Sequence, residues 1–508
     1  MGNIKNDTQI KWGAVISYCM IILNALFGLF VTPFILKHLG SSVYGVYKTM
    51  SSLSASLLIL DLGIGGTLMR YIAKYRSSSE DKKIGSFVSM MLCECLIIVP
   101  IIALVELVLY FRLDGMYAAS FSTQELYLAK QIFVILSINI ILNIFENFLF
   151  GIISGYNRFV VSNGVKLISL FLKIVCTLVL LPIINSAIML VSLNLVLAVL
   201  TIIIQLLYIA KKFPIPLNFR FKEWETGVFK ESFIYTFLIF LTTIVAQVNN
   251  NLDNILIGAA LGPDKVTVYS FGLLIFGMFE QLSTAISGVA LPTISKIILE
   301  EDWKQKVQAF IVKLGRVQFM LLGAAVVGFS LIGKDFIQLW LDKGFEDVYW
   351  IVLILMIPSL FELCVNVCLS ILRAKNMLGF RTFVITGATV LNAIITIVGL
   401  PRYGYVAAAV GTAFSFIIGC LVVMNIYYYK KLSLPMLRIY REIMKGTWLC
   451  LLLAGGAMFF VSQFTPKSWI GFLLNVATFA VAYAITMLLF GFNQKEKQAI
   501  PVLNKIWK

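Results

Sequence analysis

Blocks of apolar residues fill this chain, each long enough to cross a bilayer as a helix and each separated from the next by a short polar connection. A hydrocarbon core roughly 30 Å thick takes about 20 such residues. Fourteen windows meet the requirement: 12–36, 43–68, 85–110, 127–150, 160–181, 186–209, 233–257, 268–293, 310–332, 348–371, 382–400, 405–428, 447–465 and 470–490. The stretch Leu39-Gly40-Ser41-Ser42-Val43-Tyr44-Gly45-Val46-Tyr47 returns 222 residues later as Leu261-Gly262-Pro263-Asp264-Lys265-Val266-Thr267-Val268-Tyr269. Each copy reads as an apolar helix, a Leu-Gly turn and a second helix opening on Val-Tyr, so the unit repeated is a transmembrane hairpin. The expected fold is an all-α polytopic membrane protein of about 14 transmembrane helices. It has two pseudo-symmetric six-helix lobes, 1–209 and 210–428, and a C-terminal helix pair with a basic tail, 429–508. A basic cytoplasmic linker, 210–232, opens the second lobe.

Composition agrees. The 508 residues are 60% hydrophobic and 13% charged, with mean hydropathy +0.93, outside the range of soluble domains. Net charge +16 does not indicate nucleic acid, because most of the Lys and Arg gather in alternate connections, which the positive-inside rule assigns to the cytoplasm. Both termini are then inside, and no cleavable signal peptide is evident. Clusters such as Arg70, Lys74, Arg76, Lys82 and Lys83, or Lys430, Lys431, Arg438, Arg441 and Lys445, face anionic headgroups.

Several chemistries are disfavoured. The connections are too short to hold a soluble catalytic domain. Gly328 to Asp335 nearly spells a phosphate-binding loop, but Asp335 stands where Ser or Thr would hold magnesium and no strand precedes it. His38 is the only histidine, at the outer end of the first window. The eight cysteines carry no disulfide or zinc spacing. An enzyme and a metal site are therefore not expected.

Polar stripes inside the windows mark surfaces facing a cavity or another helix. The seventh window has Thr243, Gln247, Asn250 and Asn254 at helical spacing, with Asn249, Asn251 and Asp253 beside them. The fifth carries Ser162, Lys166, Ser169, Lys173 and Thr177; the fourth Asn139, Asn143 and Glu146; the tenth Glu362, Asn366 and Ser370. The second runs from Lys48 through Ser51, Ser52 and Ser56 to Asp61. Hydrogen bonding between helices would account for many of these, but a charge at mid-bilayer costs about 2.5 to 3.5 kcal/mol and calls for a use. Lys173 and Glu280 lie near mid-membrane. Glu146 and Lys166 match in depth and read as a structural pair, and snorkelling competes for Lys48 and Lys130. Pro33, Pro292 and Pro358 are candidate bends.

Leu39-Gly40 through Tyr47, then Leu60-Asp61-Leu62-Gly63-Ile64-Gly65 and Arg70-Tyr71-Ile72-Ala73, resembles the first half of bacterial polysaccharide flippases of the multidrug, oligosaccharidyl-lipid and polysaccharide exporter superfamily. Asp253, Ile257-Gly258, Leu261-Gly262, Tyr269 and Pro292-Thr293-Ile294-Ser295-Lys296 are similar to its second half. The resemblance implies a flippase of the bacterial plasma membrane that moves undecaprenyl-diphosphate-linked oligosaccharide outward by alternating access for cell-surface polysaccharide synthesis, with a polysaccharide polymerase as a pathway partner. It also implies a cavity lined by windows 1, 2, 7 and 8. Candidate cavity residues are then Lys48, Lys173, Gln247, Asn250, Asn251 and Asn254. The interior acids Asp61, Asp253, Glu280 and Glu362 either bind a coupling proton or sodium ion, Asp253 and Glu280 first, or pair internally with Lys173 or nearby arginines. The rivals are a multidrug antiporter, which usually stops at twelve helices, a peptidoglycan-precursor flippase and, least favoured, a membrane-embedded polymerase.

Overall fold

Hydrocarbon offers no partner for backbone N–H and C=O groups, so a chain of this composition satisfies them within helices. The computed structural model describes residues 2–57, 63–80, 82–213, 215, 219, 247, 251–288, 290–341, 343–375, 377–493 and 496, and among these there is no strand. Among the described residues eleven helices are long and apolar enough to cross a membrane, and a bent pair, Met436–Met444 with Thr447–Ser462, makes a twelfth. The expected windows 43–68 and 233–257 both run through residues outside the described set.

The chain divides into two compact units, Met1–Thr267 and Val268–Lys508. The first begins with α1 (Gly2–Leu26), a π-helical turn (Phe27–Val31) and α2 (Thr32–Leu39), then α3 (Ser41–Leu57) and α4 (Ile64–Ser77). It continues through α5 (Lys82–Tyr117), α6 (Thr123–Gly155), α7 (Phe159–Ile184) and α8 (Ala187–Lys212) to a helical segment at 251–261 and the first turn of α9 (Pro263–Ser287). Two apolar clusters hold it. One joins α4, α5 and α6 through Tyr71, Phe87, Met91 and Phe148. The other joins α3, α5, α6 and α8 through Met50, Tyr117, Phe133 and Val191, and receives Ile255 and Ala259 from the 251–261 segment.

The second unit contains the rest of α9, then α10 (Ala290–Ile297), α11 (Trp303–Leu341), α12 (Asp347–Cys364), α13 (Val367–Ala374), α14 (Leu378–Tyr403) and α15 (Val406–Ser415). A π-helix (Phe416–Val423) leads into α16 (Met424–Leu432). Then come α17 (Met436–Met444), α18 (Thr447–Ser462), α19 (Trp469–Thr486) and a last π-helical turn (Met487–Gly491). Outward-facing side chains such as Phe111, Ile183 and Phe383, each at least 70% exposed, suit a lipid solvent rather than water.

Several helices exceed their apolar windows because caps, not hydropathy, end them. α6 starts at 123 rather than 127: Ser122 Oγ accepts from the Glu125 amide, and Glu125 Oε2 accepts from the Ser122 amide at 2.7 Å, a reciprocal capping box. The same carboxylate accepts from Ser42 at the start of α3. The near phosphate-binding loop at Gly328–Asp335 lies in the middle of α11 and forms no loop. Both Leu-Gly turns take positive φ, +79° at Gly40 and +87° at Gly262, a conformation that favours glycine. Pro358 lies inside α12, which runs on to Cys364 before giving way at Val365–Asn366.

Candidate functional site

In the first unit the two copies of the repeated motif meet. A Cβ on Gly45 would lie 1.9 Å from the carbonyl oxygen of Pro263, so only glycine lets the backbones approach this closely. The Thr267 hydroxyl donates to the Ser41 carbonyl at 2.7 Å, and Ser120 Oγ donates to the Gly258 carbonyl at 2.8 Å. Gly258 itself backs onto Thr49 of α3. The 251–267 segment is thereby fastened along the first half of α3.

Fastening it aligns two polar stripes. Lys48 and Ser52 are one turn apart on α3 and share a face. Gln247, Asn251 and Asn254 share a face in the other segment, and Asn254 Nδ2 donates to Ser52 Oγ at 3.0 Å. Asn251 Nδ2 donates to Gln247 Oε1 at 3.0 Å. Asn254 and its neighbour Asp253 are buried. Lys173 on α7 lies near enough to Lys48 for the two ammonium groups to repel. Lys48 lies 5.8 Å from the Tyr44 ring and Lys173 5.2 Å from the Phe27 ring. Such faces attract cations without neutralising them. Among the described residues no carboxylate forms an ion pair with either lysine. Two like charges held near each other on a polar surface favour an anionic partner.

Elsewhere in this unit the polar stripes serve packing. Asn143 Nδ2 donates to Asn139 Oδ1 within α6. Glu146 and Lys166 attract each other across α6 and α7, and Lys130 forms an ion pair with Asp114 at 2.8 Å. Asp61 and Asn250 lie outside the described residues.

The second unit collects acids instead. Glu280 on α9 and Glu362 on α12 are half-buried and close enough to repel, while Arg381 on α14 attracts Glu362. The pair flanks the break at Val365–Asn366, which is tied to α9 and α11: Gln318 Nε2 donates to Ser283 Oγ at 3.0 Å, and Ser283 Oγ approaches the Leu363 carbonyl at 3.5 Å. Two carboxylates in repulsive proximity favour holding one proton, or one cation, between them.

Two buried charges fall outside the sequence expectations. Glu106 on α5 is 4% exposed, and its Oε1 has no hydrogen-bond partner. No polar stripe accompanies it along the apolar run of the third window, so periodicity could not flag it. Arg316 on α11 is equally buried. Its guanidinium donates to Glu496 through two nitrogens, at 2.7 and 3.0 Å, and to the carbonyls of Glu442, Lys445 and Gly491. Those partners stand 126 to 180 positions away, and with every donor direction used Arg316 is a staple rather than a ligand site.

Residues 11–298 match the family described as polysaccharide biosynthesis protein. A putative O-antigen transporter of Salmonella typhi is 24% identical over 438 residues, 82% of this chain and 95% of that protein. The probable flippase AglR of Haloferax volcanii is 29% identical over 177 residues, 34% of this chain and 37% of its own. Among solved structures, the inward closed conformation of the lipid II flippase MurJ matches with TM-score 0.70 at 16% identity, covering 94% of this chain and 98% of that one. An inward-facing multidrug resistance transporter of the MATE family matches with TM-score 0.62 at 13% identity, covering 83% and 98%. The last two likenesses establish the fold.

Proposed function

Since this chain belongs to the polysaccharide biosynthesis protein family, among the polysaccharide flippases of the multidrug, oligosaccharidyl-lipid and polysaccharide exporter superfamily, we propose that its cargo is an undecaprenyl-diphosphate-linked oligosaccharide. The protein carries it from the inner to the outer face of the bacterial plasma membrane by alternating access. The observation that supports this reading best is the Lys48–Lys173 pair, whose mutual repulsion a diphosphate would relieve. In hydrocarbon each phosphate charge faces an idealised cost of about 20 kcal/mol, which a polar passage avoids while the polyprenyl tail stays in lipid. Asn251, Asn254, Gln247 and Ser52 offer donors and acceptors for sugar hydroxyls beside the lysines, and Asn250 belongs to the same stripe by its spacing.

Transport against a gradient needs a second ligand with differential affinity for the two states. Glu280 and Glu362 are the first candidates to bind a coupling proton or sodium ion, with Asp253 and Asp61 as further acids of the same class. A polysaccharide polymerase would receive the delivered unit. The overall likeness to the lipid II flippase supports a second reading, in which the cargo is a peptidoglycan precursor.

Proteoliposomes containing the full chain separate these readings. Delivery of labelled undecaprenyl-diphosphate-oligosaccharide to the outer leaflet, lost in Lys173→Ala and without ethidium efflux, supports the proposal. Delivery of lipid II alone would transfer the site to peptidoglycan synthesis, and ion-driven ethidium efflux with no lipid movement would make the protein a multidrug antiporter.

A further inference from the structure

A groove of about 900 Å³ opens between α16, with the π-helix before it, and the short helix α17. Its walls are apolar, built from Leu421, Val422 and Ile426 on one side and Leu437 on the other. Its rim is basic, carrying Lys430, Arg438 and Arg441. Helix α17 is strongly amphipathic: Met436, Ile439 and Ile443 are buried, whereas Leu437 is 86% exposed. A leucine so exposed, one residue from an arginine on the groove's basic rim, suits the boundary between headgroups and acyl chains. Arg438 spends its charge on Glu442 at 2.9 Å. Among the described residues Lys430 and Arg441 have no ion pair.

We propose that this groove is a binding site for one anionic phospholipid of the surrounding bilayer, its phosphate held by Lys430 and Arg441 and one acyl chain lying along Leu421, Val422 and Ile426. Charge complementarity selects the headgroup, because an apolar groove alone would accept any chain. The site connects to the interior. Asn425 Nδ2 donates to Tyr440 Oη at 3.1 Å, and Tyr440 Oη donates to the Phe361 carbonyl at 3.2 Å. Asn425 and Tyr440 line the groove, and Phe361 precedes Glu362 beside the break between α12 and α13. A bound lipid therefore lies against the residues that tie α17 to the end of α12, which carries Glu362.

The test is the thermal stability of the purified full chain in detergent, titrated with phosphatidylglycerol or with phosphatidylcholine of the same acyl chains. Phosphatidylglycerol should raise Tm saturably and phosphatidylcholine should not. Each exposed charge contributes about 1 kcal/mol near an anionic headgroup, so Lys430→Gln with Arg441→Gln should weaken the response roughly 25-fold, at about 1.4 kcal/mol per tenfold. Ile426→Trp, which fills the groove and keeps the rim, should weaken it as well. Equal responses to the two lipids, an unchanged response in the charge variant or an unchanged response in Ile426→Trp would each overturn the proposal. Displacement of phosphatidylglycerol by undecaprenyl phosphate at lower concentration would also overturn it, by giving the groove to the cargo. None of these readouts depends on transport.

Discussion

The two halves of the chain share a motif and differ in the charges they keep inside. Both copies preserve the Leu-Gly turn at positive φ and the helix that follows it. Lys48 follows Tyr47 in the first copy, whereas Ser270 follows Tyr269 in the second. In the first unit Lys48 and Lys173 repel each other, with the acids Glu106 and Asp253 also buried there, and in the second Glu280 and Glu362 repel while Arg381 attracts Glu362. The second unit's buried cation, Arg316, is by contrast paired on every side. The two copies thus keep the same backbone geometry at the turn, while the interior charges near them differ in sign. Unsatisfied like charges oppose folding, so they persist where a ligand completes them, and a saturated charge stabilises the fold.

The largest effect should separate the paired cation from the unpaired ones. Arg316→Ala leaves Glu496 and three carbonyls without their donor, and removing one partner of a buried pair costs about 3 to 5 kcal/mol. A clear drop in Tm is expected, and a Tm equal to wild type would remove the contrast between staple and site. Next comes the shared motif. Gly45→Ala forces a methyl against the Pro263 carbonyl, an overpacking worth about 1 to 3 kcal/mol. Gly40→Ala meets no neighbour and pays only for its positive φ, about 1 kcal/mol. Thermal unfolding of the two variants should therefore rank Gly45→Ala as the more damaging. The reverse order would mean that the turn, rather than the close approach, is what the repeat conserves.

The fold and the site were legible to different depths. Helix placement follows from hydropathy, and the turn at Gly40 could be read because its copy recurs at Gly262. Lys48 and Lys173 were recognisable singly, since a lysine inside an apolar window is costly wherever it points, but their proximity depends on how α7 packs and no spacing encodes it. The break at Val365–Asn366 carries no proline, and Pro358, the residue that suggested a bend, sits inside a continuous helix. Glu106 sits inside an apolar window as those lysines do and was open to the same single-charge reading, but with no polar stripe beside it periodicity passed it over. Arg316 was invisible because its partners come from α17, α18's approach and the chain's last described residues, and long-range pairing leaves no local pattern.

The smallest stability effects belong to the proposed ligand sites, and they decide whether the comparison is about function. Lys48→Ala with Lys173→Ala removes a repulsion and no ion pair, so stability to unfolding should stay within about 1 kcal/mol of wild type or rise, while delivery of the lipid-linked oligosaccharide is lost. Glu280→Gln likewise relieves repulsion against Glu362 and should leave Tm nearly unchanged. Its signature is a change in coupling. With the acidic site reduced to one ionisable group, the dependence of delivery on an imposed proton or sodium gradient should flatten, while cargo binding to the Lys48–Lys173 surface persists. A variant that lost cargo binding and kept its gradient dependence would reverse the assignment, placing anion recognition with the acids' unit. A variant that lost neither would leave Glu280 and Glu362 as packing residues and deprive the second unit of its proposed role.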